Sequence, residues 1–463
     1  MTILTILLGL IGLGVMVFVH ELGHFVAAKM NGVAVEVFSL GWGPKMVGFK
    51  YAGTMYQISW FPIGGYCKMK GEMVPGIAGG TGDGVPDVDP KPAEGSFLAA
   101  APWRRIVIAA FGPLFNLVFA ALIFFVIWWA GFTVYSSDNR MILATDHTLD
   151  NFAKAPPATV AGLKTGDRII AIGGKPTENF QDILESVTAS PDTAMIFTVQ
   201  RSVDGAVQTL SVPLAPELDK DTGAGRIGIY AWVDPVIDSV QAGTAAGIAG
   251  MRRGDRITSV DGTQVGNTID VMQLLSKKPA KIDLGFQRGG APLNATLVLT
   301  YDDKGAANLG LAFAALRYRS TRMGPLAAAG KGLQETGNTV SLTIKGIGLL
   351  FRGINLRNAV AGPLRITYYI GTAATSGFQM GIGAGLISFF RFLAFLSVSL
   401  FLMNLLPIPA MDGGQIILFL VEMARGKPVR LRLVWRIQLI GFSLLIMLTL
   451  FVTFSDILFF AGK

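Results

Sequence analysis

Two of the three histidines in this 463-residue chain stand four positions apart with a glutamate beside the first, as His20-Glu21-Leu22-Gly23-His24. On a helix, positions four apart differ by about 40° in direction and about 6 Å in height, so both imidazoles can reach one ion. Glu21 is then placed to take a proton from an attacking water, which is the spacing used in metal-dependent peptide hydrolysis. The plainer alternative is a helix end with two interfacial histidines and a snorkelling glutamate. Ionisable groups in or beside a spanning helix are costly, however, and point to function. A tetrahedral catalytic zinc takes three protein ligands and keeps one position open. His147 reads as a solvated surface residue. A carboxylate is the better third ligand, and Asp412 offers one in Asn404-Leu405-Leu406-Pro407-Ile408-Pro409-Ala410-Met411-Asp412-Gly413-Gly414. Two prolines stop a helix there, and an acid on non-helical backbone at membrane depth is tolerated only in a protein-lined or polar setting. The other reading of Asp412 is a cap for the helix that starts near Ile416. The single cysteine, Cys67, excludes an internal disulfide framework and any cysteine-based zinc finger.

These residues need apolar elements to hold them, and the composition supplies them. The chain is 51% hydrophobic and 15% charged, with a mean hydropathy of +0.51, against about a quarter charged residues in soluble domains. Disordered, collagen-like and coiled-coil classes are excluded for the bulk of it. Four runs are long enough to cross a hydrocarbon core, roughly 3–28, 106–132, 383–406 and 434–460. The first is read as a retained helix rather than a secretory signal, because it lacks a basic start and carries polar chemistry at its end. Lys29, Lys45, Lys50, Lys68, Lys70, Lys91, Arg104 and Arg105 in the first connection, and Arg425, Lys427, Arg430, Arg432 and Arg436 in the third, make both cytoplasmic. The long connection 133–382 and both termini then lie outside. The net charge of +8 is explained by this anchoring, and no basic stripe interleaved with aromatics points to nucleic acid.

The outer connection contains a duplication. Ala161-Gly162-Leu163-Lys164-Thr165-Gly166-Asp167-Arg168-Ile169 recurs as Ala249-Gly250-Met251-Arg252-Arg253-Gly254-Asp255-Arg256-Ile257, with Gly174 matching Gly262. A helical pattern (180–187, 268–275) and a strand-like alternation (194–199, 295–300) follow each copy. The pattern resembles PDZ domains of the bacterial protease-associated kind, which imply an extended-peptide or chain-end ligand, or a steric filter. Residues 49–69 suggest a β-hairpin, 75–96 a flexible linker, and 324–380 amphipathic helices at the membrane surface.

His20 to His24, Phe111-Gly112-Pro113-Leu114-Phe115-Asn116 and the Asn404 to Gly414 stretch together resemble the three signatures of the site-2 protease family of intramembrane zinc metalloproteases, over nearly the whole chain. Met411 stands where the family usually has Leu. The resemblance implies a polytopic α-helical membrane protein of about four transmembrane helices, with a membrane-associated β-hairpin and two inserted PDZ (mixed α/β) domains. It divides the chain into 1–30, the first helix; 31–103, a cytoplasmic loop; 104–132, the second helix; 133–221 and 222–310, the PDZ domains; 311–382, membrane-surface helices; 383–414, the third helix and its Met-Asp-Gly motif; 415–432, a cytoplasmic connection; and 433–463, the fourth helix. It further implies Zn2+ held by His20, His24 and Asp412, Glu21 as general base, and Asn404, Asn116 and Gly112 handling substrate. Interhelical glue and close packing are the structural alternatives for Asn116 and Gly112. The implied activity is cleavage of the transmembrane segment of single-pass membrane proteins, such as a pre-cleaved anti-sigma factor, in a bacterial inner membrane. The implied partners are those proteins, a PDZ ligand and membrane lipid, without nucleic acid. A transporter using the same polar groups, or a nonenzymatic PDZ-bearing scaffold, are the competing readings; the missing hydrophobic repeat disfavours the transporter.

Overall fold

The computed structural model of the protein describes residues 2–72, 93–147, 154–203, 205–301, 307–314, 316–349 and 360–462. In chain order, helix α1 (Ile3–Met30) leads into two long strands, β1 (Val35–Tyr51) and β2 (Thr54–Met69), and then α2 (Pro102–Ala130). Two similar mixed segments follow, β3 (Arg168–Ile172), α3 (Phe180–Thr188), β4 (Met195–Val203) and β5 (Ala206–Leu214), then β6 (Arg256–Val260), α4 (Thr268–Leu275), β7 (Lys281–Arg288) and β8 (Ala291–Val298). Five helices complete the described chain: α5 (Pro325–Leu349), α6 (Pro363–Gln379), α7 (Ile382–Asn404), α8 (Asp412–Arg425) and α9 (Leu431–Ala461). They form two compact units, one of Met1–Phe132 with the helices after Ser320, the other Thr133–Arg319.

In the first unit, α1, α2, α7 and α9 are long and apolar enough to cross a membrane, close to the four expected runs. Proline at the first position of α2 suits its start, and left-handed Gly426, at φ 64°, closes α8. Small residues bring the helices close enough for backbones to touch. A methyl at Gly23 of α1 would collide with the Phe111 carbonyl of α2, and one at Gly9 with the Thr367 carbonyl of α6. Gly371 of α6 meets the Thr5 carbonyl in turn. In the segment expected to carry membrane-surface helices, α6 is packed along α1 and α5 lies against α2 at Gly332. Most of the connection 415–432 is the helix α8.

Of the linker expected at 75–96, residues 75–92 lie outside the described residues. The expected hairpin begins much earlier than residue 49, at Val35. Ala52 and Gly53, at φ 45° and 81°, make the tight reversal that hairpins favour. Both strands bend, so that 37–40 pairs on one side with 65–68 and on the other with 55–58, while 47–51 pairs with 54–58. Val35, Phe38, Cys67 and Met69 then join Ala27, Ala28, Ile108, Ala109, Phe97 and Phe419 in one apolar core. That core fastens the strands to α1, α2 and α8.

The second unit repeats its construction at atomic level. In the first copy Arg201 Nε and Nη2 grip Asp167 at 2.8 and 2.7 Å, and in the second Arg288 grips Asp255 at the same two distances. Asn179 and Asn267 each close a capping box with Asp182 and Asp270 at the start of α3 and α4. Each copy buries its own apolar core, around Ile169, Ile183 and Phe197 in one and Ile257, Val271 and Leu284 in the other. The expected boundary at 221/222 moves, because 229–231 pairs back onto 141–143 of the first copy. The boundary at 310 moves for the same reason, since 311–313 pairs with 237–240.

Candidate metal centre

The helix α1 carries His20 and His24 on one face, and α8 begins at Asp412. Their ligand atoms converge. His20 Nε2 and His24 Nε2 are 3.2 Å apart. The two Asp412 carboxylate oxygens lie 3.3 Å from His20 Nε2 and 3.5 Å from His24 Nε2. All three groups can offer one atom within 4.8 Å of the others, with side chains only 11–14% exposed.

Hydrogen bonds on the far side of each ring decide what those atoms can do. His24 Nδ1 lies 2.9 Å from the Ile108 carbonyl, which only accepts, so Nδ1 carries the proton and Nε2 of the neutral ring is a bare lone pair. His20 Nδ1 lies 3.2 Å from the Asn116 amide nitrogen, and the Asn116 Oδ1 is buried with no partner. Turning the amide over, a choice that packing alone leaves open, lets Oδ1 accept the Nδ1 proton and frees His20 Nε2 in the same way. Two lone pairs and a carboxylate then face one another with no proton between them. Such a donor set suits zinc, in number and in kind, so the residues fit the ion.

Glu21 lies between this cluster and β2, with His24 and Asp412 on one side and the Cys67 backbone N–H on the other. A methyl at Gly65 would stand 3.4 Å from Glu21 Cγ, so β2 fixes this side chain from the flank. Burial pushes the Cys67 thiol up, which leaves it a core residue. Burial also pushes the nearby Glu72 carboxyl up to about 8, opposed by the Met69 N–H and aided by the charges of Glu21 and Asp412.

Gly112 and Asn116 both lie on α2 at this level. A methyl at Gly112 would strike the His24 imidazole, and Asn116, fully buried, holds His20. Asn404 ends α7 and hydrogen-bonds none of the cluster among the described residues. His147 lies in the other unit, 2.5 Å from Gln273 Oε1. Asp412 is the first residue of α8, but Met411 is the N-cap and no side chain caps that end; the Asp412 carboxylate faces the two histidines instead. Sequence reasoning missed the Ile108 carbonyl, the Cys67 N–H, and an ion pair from Arg105 Nη2 to Glu422 Oε1 at 2.5 Å that ties α8 to α2. Arg105 had a visible charge, but it reads as one more anchor at a membrane end.

Imidazoles on one apolar helix, completed by an acid that follows another, set this fold among the membrane-embedded metallohydrolases. The model of peptidase family M50 matches residues 8–448, and the chain belongs to that family. A protein of Treponema pallidum named as a zinc metalloprotease is 35% identical over 460 residues, covering 98% of this chain and 99% of that one. The regulator of sigma-E protease RseP of Escherichia coli is 29% identical over 468 residues, 96% of this chain and 97% of that one. RseP of Salmonella typhimurium matches at 29% over 469 residues, with 96% and 97% covered. A solved PDZ domain of an SdrC-like protein of Listeria monocytogenes aligns with 18% of this chain and 90% of its own, at 21% identity and a TM-score of 0.17. The protein is thus a zinc metalloendopeptidase of the site-2 protease family.

Proposed function

We propose that the protein cleaves single-pass membrane proteins within their membrane segment, as a step of regulated intramembrane proteolysis in a bacterial inner membrane, with zinc held by His20, His24 and Asp412. The convergence of the three ligand atoms, with the His24 proton fixed on the side away from them, carries this reading. A zinc ion held there would supply a Lewis acid for the scissile carbonyl and would bring a water's pKa down to about 7. Glu21 would serve as the general base for the attacking water and pass the proton to the leaving amine. The Cys67 N–H keeps the carboxylate oriented meanwhile. Asn116 and Gly112 serve the histidines, through a hydrogen bond and through space, and with Asn404 they line the approach of substrate.

A peptide bond inside a helix must leave its internal hydrogen bonds before it can be cut. The β1–β2 sheet offers a partner, since a substrate segment can add to its edge as a strand. Met46, Val47, Phe49, Tyr51, Trp60 and Phe61 are exposed on it, which suits a membrane-associated element. The two repeated segments of the second unit are two PDZ domains on the periplasmic side. They filter for substrates already shortened there.

Metal analysis and a cleavage assay on a single-pass reporter test the centre. His20→Ala/His24→Ala should lose zinc and activity together, and stoichiometric zinc in that variant would overturn the ligand set. Labelling a Ser96→Cys probe in a Cys67→Ser background tests the orientation, and reaction with an impermeant reagent from outside would invert it. Deleting roughly residues 136–305 should keep cleavage of a short substrate and admit a full-length one. Loss of the short substrate's cleavage, with zinc intact, would make the second unit a recruiter.

A further inference from the structure

Arg391 stands within α7, an apolar helix, and no described residue gives it an acid. Its guanidinium carbon lies 4.4 Å from the centre of the Phe132 ring, and its Nε is sealed from solvent without an acceptor. Phe132 meets Trp128 edge to face, centroids 5.0 Å apart. The Trp128 Nε1–H is also buried and unpaired, and Lys331 Nζ sits 5.3 Å from the centre of the Trp128 ring. A continuous row of contacts, Arg391 to Phe132 to Trp128 to Lys331, therefore runs across α7, α2 and α5, three helices that pack on one another.

The surroundings of this row are firmly held. The Arg322 Nε donates to the Ala130 carbonyl at 3.0 Å, and the Ser320 and Met323 N–H groups donate to the Phe132 and Trp128 carbonyls at 2.8 and 3.2 Å. Lys331 itself donates to Gln334 Oε1 at 3.2 Å. Glu335, one turn further on α5, makes no ion pair with Lys331 or Arg391 among the described residues. Arg322, Lys331 and Arg391 thus gather at one helix junction, and among the described residues neither Lys331 nor Arg391 has an acidic partner. Ring faces attract a cation but accept none of its hydrogen bonds well, and an arginine within an apolar helix requires an anion or a route to water.

The anion that a bilayer supplies at its interface is the phosphodiester of a phospholipid. Its two unesterified oxygens match the guanidinium fork. We infer that the junction of α2, α5 and α7 is a phospholipid headgroup site, with the outer nitrogens of the Arg391 guanidinium on the phosphate and Lys331 adding positive charge further along the same row. A lipid seated there joins α5 to the bundle and leaves the metal centre untouched.

Native mass spectrometry of the delipidated full-length protein tests this, with phosphatidylglycerol, inorganic phosphate and a phosphate-free glycolipid as probes. Wild type should hold one phosphatidylglycerol beyond the background distribution. Arg391→Leu should lower that occupancy at least tenfold, with Lys331→Ala lowering it less. Arg391→Lys keeps the charge and loses the fork, so it should fall between, and it serves if Arg391→Leu does not fold. Equal phosphatidylglycerol occupancy in wild type and either Arg391 variant would overturn the site. Equal retention of the glycolipid would show that acyl chains alone bind, and inorganic phosphate binding as tightly as the lipid would make the site one for the free anion; either result overturns the lipid assignment.

Discussion

Two polar clusters inside the same helix bundle are built on opposite plans. At the first, Asp456 of α9 accepts from the Gly362 N–H at 3.0 Å, the Arg365 N–H at 3.0 Å and the Arg365 Nε at 2.9 Å. The same guanidinium donates onward to the Val360 carbonyl and Ser455 Oγ and lies over the Phe459 ring. Charge, donors and acceptors all match, so the cluster is closed and joins α6 to α9. At His20, His24 and Asp412 the outer hydrogen bonds are made and the inner atoms are all acceptors. One cluster has used its polarity on itself; the other has arranged it around a place for a cation. Burial of ionisable groups alone therefore does not separate staple from site, whereas the balance of donors and acceptors does.

The comparison breaks most sharply at the open cluster. Glu21→Gln should retain zinc and lose at least about 10²-fold in turnover, the scale of a general base, whereas the histidine variants lose both; parallel metal and rate measurements check it. At the closed cluster, Asp456→Ala strands a buried guanidinium and should cost about 3–5 kcal/mol of stability. An Arg365→Met/Asp456→Leu double variant should recover most of that, with zinc content unchanged throughout. Thermal unfolding of both variants in detergent reads the difference. Arg105 and Glu422 lie between the two plans, because their closed pair holds the helix that begins at Asp412. Arg105→Gln should cost about 1.5–3 kcal/mol, as for a hydrogen bond to a charged group, and should weaken zinc binding too, measured by competition with a chelator. The smallest effect is expected outside the bundle. Arg288 hydrogen-bonds Asp255 and holds its carboxyl below the usual range, so that contribution is present above the unfolded value of about 3.9. It is lost as pH falls through the folded value. Protection of β6 and β7 amides, relative to their intrinsic exchange rates, should fall below about pH 4 in wild type, and Asp255→Asn should exchange faster at neutral pH.

How much of this was legible follows from the distance over which each signal acts. His20, Glu21 and His24 were readable because four residues on a helix fix a geometry by themselves. Asp412 was readable because an acid follows two prolines in an apolar context, although the structure places it in the first turn of α8 rather than on irregular backbone. The duplication was visible around Asp167 and Asp255, yet their partners Arg201 and Arg288 were not singled out, since a strand pairing decides which arginine arrives. Arg105 and Glu422 are 317 positions apart, and no local pattern links them. Segment 363–379 reads as a surface helix from its mixed polarity; only the fold shows that its glycines lie against α1 and its arginine against Asp456. The long reach of β1 was hidden for a related reason, since its second half exposes apolar side chains that in water would argue against a strand.

The proposed ligands come from opposite ends of the chain, and synthesis delivers them at different times. His20 and His24 emerge first, and Asp412 follows only after most of the protein has been made, roughly 20–80 s later at about 5–20 residues per second. Through that interval the paired imidazoles of α1 lack the carboxylate that stands 3.3 and 3.5 Å from them in the folded chain. The order of translation withholds Asp412 until the helices that surround the histidines have been made.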